Sequence, residues 1–533
     1  MEWFSDIAPT RWLGAGTWLA LCVLWFRSKR TAVIQPTRTV DYRWLTVLVL
    51  VTLAVRLWFS VQAEATGADD WLYLGYAHWI SGNPSALATL FTELTNPAEP
   101  TIRVLPLLWL GFDSTWIGSS IGTWALITLL GHSLAAWLVT RLSLRLGLSF
   151  YGAYLSGLLF LAHPIASETL LWLSSGREAV MMANFLLLAL CAHLDRRYLF
   201  AGIAFAAALL SREHTLAFLV LAPLCDWRGG KPFKPRVYLS YLLFIVIPMF
   251  IWRTWLFESG NAVQSGYLAE LFDTGAATTL LHGLIDMPGW FFVPFTYDLP
   301  GAVYWAAGLV AMLCAAAWHS GGNVTRPSLV RWVFFLGLFS AALLGPSVLD
   351  LAPPEPSTNT THIPDWNLRH LYGPAIGVAV AVAAALQHVA LRYSLGVVGC
   401  LLLSAIFLSN QYLAPSHRVQ AARAAQDSAE IPPHVAVRFT QPQDAAAVFF
   451  LNRRILESGT VGLPVLVGEP RCGCVALPID YDIASVPRLR DVWHAVNDPL
   501  VFEPVEEGES CRCKPWRTDA AYRLLNDEKY TLE

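Results

Sequence analysis

Apolar residues fall along this chain in long blocks, broken by short polar turns. A helix needs about 20 apolar residues to cross the hydrocarbon core of a bilayer. Blocks near 12–26, 44–62, 116–138, 150–165, 179–194, 198–211, 214–225, 237–256, 302–318, 329–349, 371–390 and 393–412 therefore predict transmembrane helices. Several are short, so about eleven to thirteen spans are expected. Past residue 413 the pattern changes to short apolar runs between turn residues. Val435-Ala436-Val437 and Leu463-Pro464-Val465-Leu466-Val467 read as strands, and 440–457 and 517–526 as helices. The expected architecture is an all-α polytopic membrane domain over 1–412, followed by a small α+β domain over 413–533.

Polar positions orient these spans, because cytoplasmic loops collect Lys and Arg. Arg27, Lys29, Arg30, Arg38 and Arg43 share the first loop. Arg141, Arg145, Arg196, Arg197, Arg228, Lys231, Lys234, Arg236, Arg326, Arg331 and Arg392 follow on the same side, provided that 282–297 forms a re-entrant or interfacial segment. That side is expected to be cytoplasmic. The loop after the second block, the 256–300 and 350–370 loops and the C-terminal domain then lie outside, in the arrangement of a bacterial inner-membrane protein.

Composition agrees. The 533 residues are 55% hydrophobic and only 14% charged, against roughly 25% charged in a soluble domain. A net charge of -3 without a basic run argues against a nucleic-acid partner. The first block is not expected to be a cleaved signal peptide, since Glu2 and Asp6 make its leading segment acidic and no small-residue cleavage site follows. Cys22, Cys191, Cys225, Cys314 and Cys400 lie singly in or beside spans and read as packing residues. Cys472, Cys474, Cys511 and Cys513 form two tight pairs, which in an oxidising compartment reads as two disulfides linking one pair to the other. A four-cysteine zinc site is the rival, although such sites favour wider spacing.

Candidate chemistry gathers at outer helix ends. Asp69 and Asp70 stand next to a span, where a carboxylate is costly and marks function by default; a hydrated pair capping a helix that starts at Trp71 is the plainer reading. Arg103, Arg177, Arg212, Arg253 and Arg369 lie at or near outer ends. One alone reads as a snorkelling anchor. Five beside an acidic pair read as a site for a phosphorylated lipid, since guanidinium forks bind phosphate in a bidentate way. His163 is either a donor to substrate or a histidine bonded to backbone. Glu168 and Arg177 read as site residues or as an ion pair with each other. Tyr372 reads as site-lining or as a belt tyrosine. His132, in mid-span, reads as a packed, hydrogen-bonded residue. There is no P-loop, no G-x-G-x-x-G after a strand and no H-E-x-x-H. Asn359-Thr360-Thr361 is a glycosylation sequon, relevant only in a eukaryotic host.

The order of short motifs is the more specific signal. Asp69-Asp70 is followed by Arg103-Val104-Leu105-Pro106, Leu130-Gly131-His132-Ser133-Leu134, Ala162-His163-Pro164 with Glu168, Leu171-Trp172 with Gly176-Arg177, Leu210-Ser211-Arg212-Glu213, and Leu368-Arg369-His370-Leu371-Tyr372-Gly373-Pro374. Over residues 40–412 this succession resembles the membrane region of the transmembrane O-mannosyltransferases that carry TPR repeats. More broadly it is similar to the GT-C superfamily of polyprenyl-phosphate-sugar-dependent glycosyltransferases. The chain departs from the family in reading Ser211-Arg212-Glu213 for the usual Ser-Lys-Glu and Leu368-Arg369-His370-Leu371-Tyr372 for Glu-Arg-Tyr-Leu-Tyr. It also has no helical repeat of about 34 residues in its tail.

The resemblance implies an integral membrane, inverting glycosyltransferase. The donor would be a polyprenyl-phosphate-linked sugar, with undecaprenyl phosphate as the bacterial carrier. The acceptor would be an extracytoplasmic protein hydroxyl, a glycan or a lipid. Asp69 takes the place of the general base, and Asp70 orients the acceptor or helps hold a divalent cation, Mg2+ or Mn2+. Arg212, steadied by Glu213, and Arg369, beside His370, are the preferred phosphate ligands. Rival classes are a polyprenyl-lipid flippase or transporter, a non-catalytic scaffold that displays the Cys-paired domain, and a ligase that uses a pyrophosphate-linked donor. Internal repeats would favour transport, and none is evident.

Overall fold

A computed structural model describes residues 42–63, 104–116, 121–259, 368–387 and 391–426, three short strands, and isolated positions within 19–23 and 318–343. Asp69, Asp70, Arg103, Cys511, Cys513, the 282–297 segment, the strand expected at 463–467 and both C-terminal helices lie outside the described residues.

The first helix, α1 (Tyr42–Ser60), follows its apolar block closely. Next comes α2 (Val104–Trp116), which the hydrophobic pattern did not predict. Pro106 falls in its first turn, where its missing N–H costs no helical bond. At 13 residues α2 is too short to cross the hydrocarbon core. The helices α3 (Ile121–Arg145) and α4 (Phe150–Ala162) form an antiparallel pair. Gly147, at φ +86°, turns the chain between them, and the Ser149 side chain caps α4 by accepting from the Gly152 N–H at 3.1 Å.

A short helix, α5 (Ala166–Leu171), runs into α6 (Leu173–Leu194) through Trp172, whose extended backbone ends one helix and begins the other. The Asp195–Arg197 turn, with Arg196 at φ +62°, returns the chain into α7 (Tyr198–Ser211). A 3-10 turn (Glu213–Ala217) then leads to α8 (Phe218–Arg228). The next apolar block forms α9 (Pro235–Tyr241), a π-helical turn (Leu242–Val246) and α10 (Ile247–Ser259). Pro235 at the start of α9 presets helical φ. The last two helices are α11 (Leu368–Leu386) and α12 (Leu391–Gln426). The latter passes the expected end at 412 by a further 14 residues, because Ala-, Gln- and Arg-rich sequence keeps high helix propensity.

Five of these helical stretches are long and apolar enough to cross a membrane, and four shorter ones are also apolar. The chain is a multi-pass membrane protein. In the tail, β1 (His434–Arg438) pairs antiparallel with β2 (Cys472–Ala476) and β3 (Glu503–Pro504). The expected Val435–Val437 strand is thus present. Cys472 and Cys474 stand in register with Arg438 and Ala436.

Alternation of direction sorts the helix ends into two sets. Arg145 (end of α3) holds Asp195 (end of α6) through a fork of 2.8 and 2.6 Å, and Tyr151 (start of α4) donates to Ser394 (start of α12) at 2.8 Å. Ser149 and Gln387 meet at the same end. Arg56, His163, Arg177, Arg212 and Ser409 belong to the other end.

Candidate functional site

At the Arg56 end the bundle buries ionisable side chains in a region otherwise packed with Leu, Ala and Phe. Arg56, Glu168, Arg177, Glu178 and Arg212 are all 2% exposed or less, and His163 is 1% exposed. Such groups are expensive within a membrane protein, and their collection in one layer is the feature most in need of a function.

Local sequence explains how the layer is built. Pro164 cannot continue α4, so the helix stops at His163, whose backbone is extended. The His163 ring Nδ1 accepts the Ile165 N–H at 3.1 Å, which leaves the ring proton of the neutral form on Nε2. The chain re-enters as α5, putting Glu168 in that helix's first turn. Trp172 redirects it, and α6 begins close against α5. A Cβ on Gly176 would sit 1.8 Å from the Thr169 carbonyl oxygen, so only glycine permits this crossing. Arg177 follows at once and is carried into the layer.

Arg177 donates to Asp113 Oδ2 of α2 at 2.5 Å and to the Trp124 carbonyl of α3 at 3.0 Å. Of the two readings of Glu168 and Arg177, the ion pair between them is therefore not formed. The partner lies 64 residues away in sequence, on a helix the pattern did not reveal. Burial pushes the Asp113 carboxyl up to about 6, against the pull of the Arg177 guanidinium.

Arg56, which the sequence reading passed over, is the centre of a second set of contacts. Its guanidinium donates to the Ser167 hydroxyl at 2.8 Å and to the His163 carbonyl at 2.5 Å. Ser167 in turn donates to the Ala405 carbonyl and accepts from Ser409. One arginine thus ties α1 to the α4–α5 turn and, through Ser167, to α12. A lone Arg in the apolar run from Trp44 to Phe59 was the signal available.

Tyr372 is fully buried in α11 and is not a belt tyrosine. His132 Nε2 faces the Leu161 carbonyl at 3.3 Å, an acceptor only, so its Nδ1 accepts from the Tyr372 hydroxyl at 2.6 Å. His132 is packed and hydrogen-bonded, with Phe160 beside both rings. Arg212 ends α7 in extended backbone, its carbonyl accepting from the Thr215 N–H and hydroxyl. Glu213 opens the 3-10 turn next to it and is half-buried. Arg369 and His370 lie in the first turn of α11, and Arg253 lies in α10. The structure therefore brings His163, Glu168, Arg177 and Arg212 to one end of the bundle, and adds Arg56, Asp113 and Glu178.

Among the described residues no three His, Cys, Asp or Glu side chains converge as a metal site. Cys191 and Cys225 are buried and Cys400 half-buried, all as free thiols.

No protein-family model matches the sequence, and no curated protein matches it. Among solved structures, the chain is matched to the crystal structure of ArnT from Cupriavidus metallidurans bound to undecaprenyl phosphate. The identity is 15%, over 72% of this chain and 80% of that one, with a TM-score of 0.36. At that score the correspondence assigns neither a fold nor any residue.

Proposed function

We propose that this protein is an integral membrane, inverting glycosyltransferase that moves one sugar from a polyprenyl phosphate to an acceptor outside the cytoplasm. The observation that carries the reading is the buried ionisable layer at the Arg56 end. It is assembled largely from the motif segments His163–Arg177 and Ser211–Glu213, on which the GT-C resemblance rests. The opposite end carries Arg141, Arg145, Arg196, Arg197, Arg228, Lys231 and Lys234, which favours that end as cytoplasmic and the layer as extracytoplasmic.

In this reading Asp69 removes the acceptor hydroxyl proton, a contribution of typically 10²–10⁴-fold. Asp70 orients the acceptor, and a divalent cation, if used, binds at this pair. The developing charge on the leaving phosphate is met by Arg212 and Arg369, with Arg103, Arg253, His163, His370 and Tyr372 shaping the pocket around phosphate and sugar. Arg177, already engaged by Asp113, sets the position of α6. Single displacement at the anomeric carbon inverts its configuration. Two disulfides linking the Cys472/Cys474 pair to the Cys511/Cys513 pair would stabilise the tail domain outside the cytoplasm.

The test is sugar transfer by the purified protein from radiolabelled polyprenyl-phosphate donors of mannose, glucose and arabinose type. The wild type should turn over one of them. Asp69→Asn should bind the lipid yet lose turnover by at least about 100-fold. Equal activity in both proteins removes Asp69 from the mechanism. Inactivity with every donor returns weight to the pyrophosphate-donor, flippase or scaffold alternatives.

A further inference from the structure

We propose, resting on the reading above, that Arg56 is a positioning residue that makes the site selective for a phosphorylated rather than a neutral polyprenyl lipid. Three observations converge on it. Arg56 is 1% exposed, within a helix long and apolar enough to span the membrane. Both of its hydrogen bonds go to neutral acceptors, the Ser167 hydroxyl and the His163 carbonyl, and its Nε–H has no hydrogen-bond partner among the described residues. The two acceptors belong to the turn that ends α4 and starts α5, the segment that carries His163 and Glu168 into the layer.

The contrast with neighbouring groups gives this arrangement its meaning. Arg177 is neutralised in place by Asp113 at 2.5 Å. Arg56 forms no ion pair with any described carboxylate, so its charge projects into the low-dielectric layer instead of being cancelled there. Holding an arginine in that state is costly unless the site also receives an anion. His132 and Tyr372 do not supply one, since their hydrogen bond is satisfied between themselves and the Leu161 carbonyl. The guanidinium sits behind the His163–Ser167 turn and need not touch the phosphate. It fixes the turn that does, and it lends that turn positive potential. The monoanionic donor and the released phosphate both gain from that potential; a neutral polyprenol does not.

The test uses the full-length protein in nanodiscs. Kd is measured for undecaprenyl phosphate and for undecaprenol of the same chain length, in wild type, Arg56→Gln, Arg56→Lys and Ser167→Ala. A purely structural role would weaken both lipids together and leave the ratio of the two constants unchanged. The expected result is a wild-type preference for the phosphate that falls by about tenfold or more in Arg56→Gln. Arg56→Lys and Ser167→Ala, which keep the charge, should hold the ratio within about threefold. An unchanged ratio in Arg56→Gln overturns the proposal, as does a loss in Arg56→Lys equal to that in Arg56→Gln. If Arg56→Gln does not accumulate, Arg56→Met is read in its place by the same criterion, and a wild-type preference for the phosphate below about threefold, or a lost ratio in Arg56→Lys, overturns the proposal. An Arg56-dependent phosphate preference without glycosyl transfer would sink the transferase reading and leave this one standing. Transfer with an Arg56-independent preference would do the reverse.

Discussion

Replacing Arg177 by Met should destabilise the protein in a way that depends on pH. The side chains of Arg177 and Asp113 are 3% and 5% exposed and meet at 2.5 Å. Removing one member of a buried pair leaves the other charge uncompensated, at a cost of about 3–5 kcal/mol. That cost requires an ionised Asp113, whose carboxyl is raised to about 6, first by burial and in opposition to Arg177. A carboxyl raised above its unfolded value binds protons more tightly in the folded state. Wild-type stability therefore falls as pH rises from the ordinary carboxylate range toward about 6, and is flat above it. Without Arg177 the carboxyl rises further and the window of falling stability widens upward. Denaturant unfolding in detergent micelles, followed by tryptophan fluorescence, should show the full Arg177→Met loss at pH 8 and a clearly smaller one at pH 5.5. Adding Asp113→Asn removes the stranded charge and should recover most of the loss at pH 8. An equal loss at both pH values, or no recovery in the double variant, would refute the argument that the pair is an ionised contact holding α2 to α6.

Three further outcomes follow from the same packing. Gly176→Ala places a Cβ 1.8 Å from the Thr169 carbonyl and should cost about 1–3 kcal/mol by the same unfolding assay, while Gly399→Ala, with nothing within 4 Å, should stay within about 0.5 kcal/mol of wild type. Tyr372→Phe strips His132 of its donor in a fully buried place and should cost about 1–3 kcal/mol; His132→Phe in the same background should cost less than the sum of the two single changes. Asp195→Asn breaks a well-formed but partly exposed fork to Arg145 and should cost no more than about 1 kcal/mol. Arg145 holds the Asp195 carboxyl below the usual carboxylate range, so this small contribution should vanish as pH falls below that range.

Span positions were legible because they rest on a local quantity. The block at 198–211 coincides with α7, and those at 44–62, 150–165 and 237–256 with the helices found there. Helix α2 was missed because Pro106 and Gly111 interrupt a short apolar run that no length criterion selects. The passage of α12 beyond 412 was missed because the boundary was drawn on hydropathy, whereas Ala-rich polar sequence extends a helix on propensity alone. For the site, the His163–Arg177 segment was readable as a unit, since Pro164, Trp172 and Gly176 each dictate a local backbone event. Pairing was not readable. Glu168 and Arg177 look like partners at a separation of nine, yet the Trp172 break sends Arg177 to Asp113. Arg56 was hidden by its setting, because one arginine barely lowers the mean hydropathy of an apolar run.

The central claim is that the lipid phosphate is bound at the Arg56 end of the bundle. Photo-crosslinking with a diazirine placed next to the phosphate of undecaprenyl phosphate, in nanodiscs, tests it most directly when the labelled peptides are mapped by mass spectrometry. The account predicts label in segments 163–178 and 211–215, competed by unlabelled undecaprenyl phosphate and not by undecaprenol. Label concentrated around 193–197 and 226–241, at the end that holds Arg145 and Asp195, would contradict it.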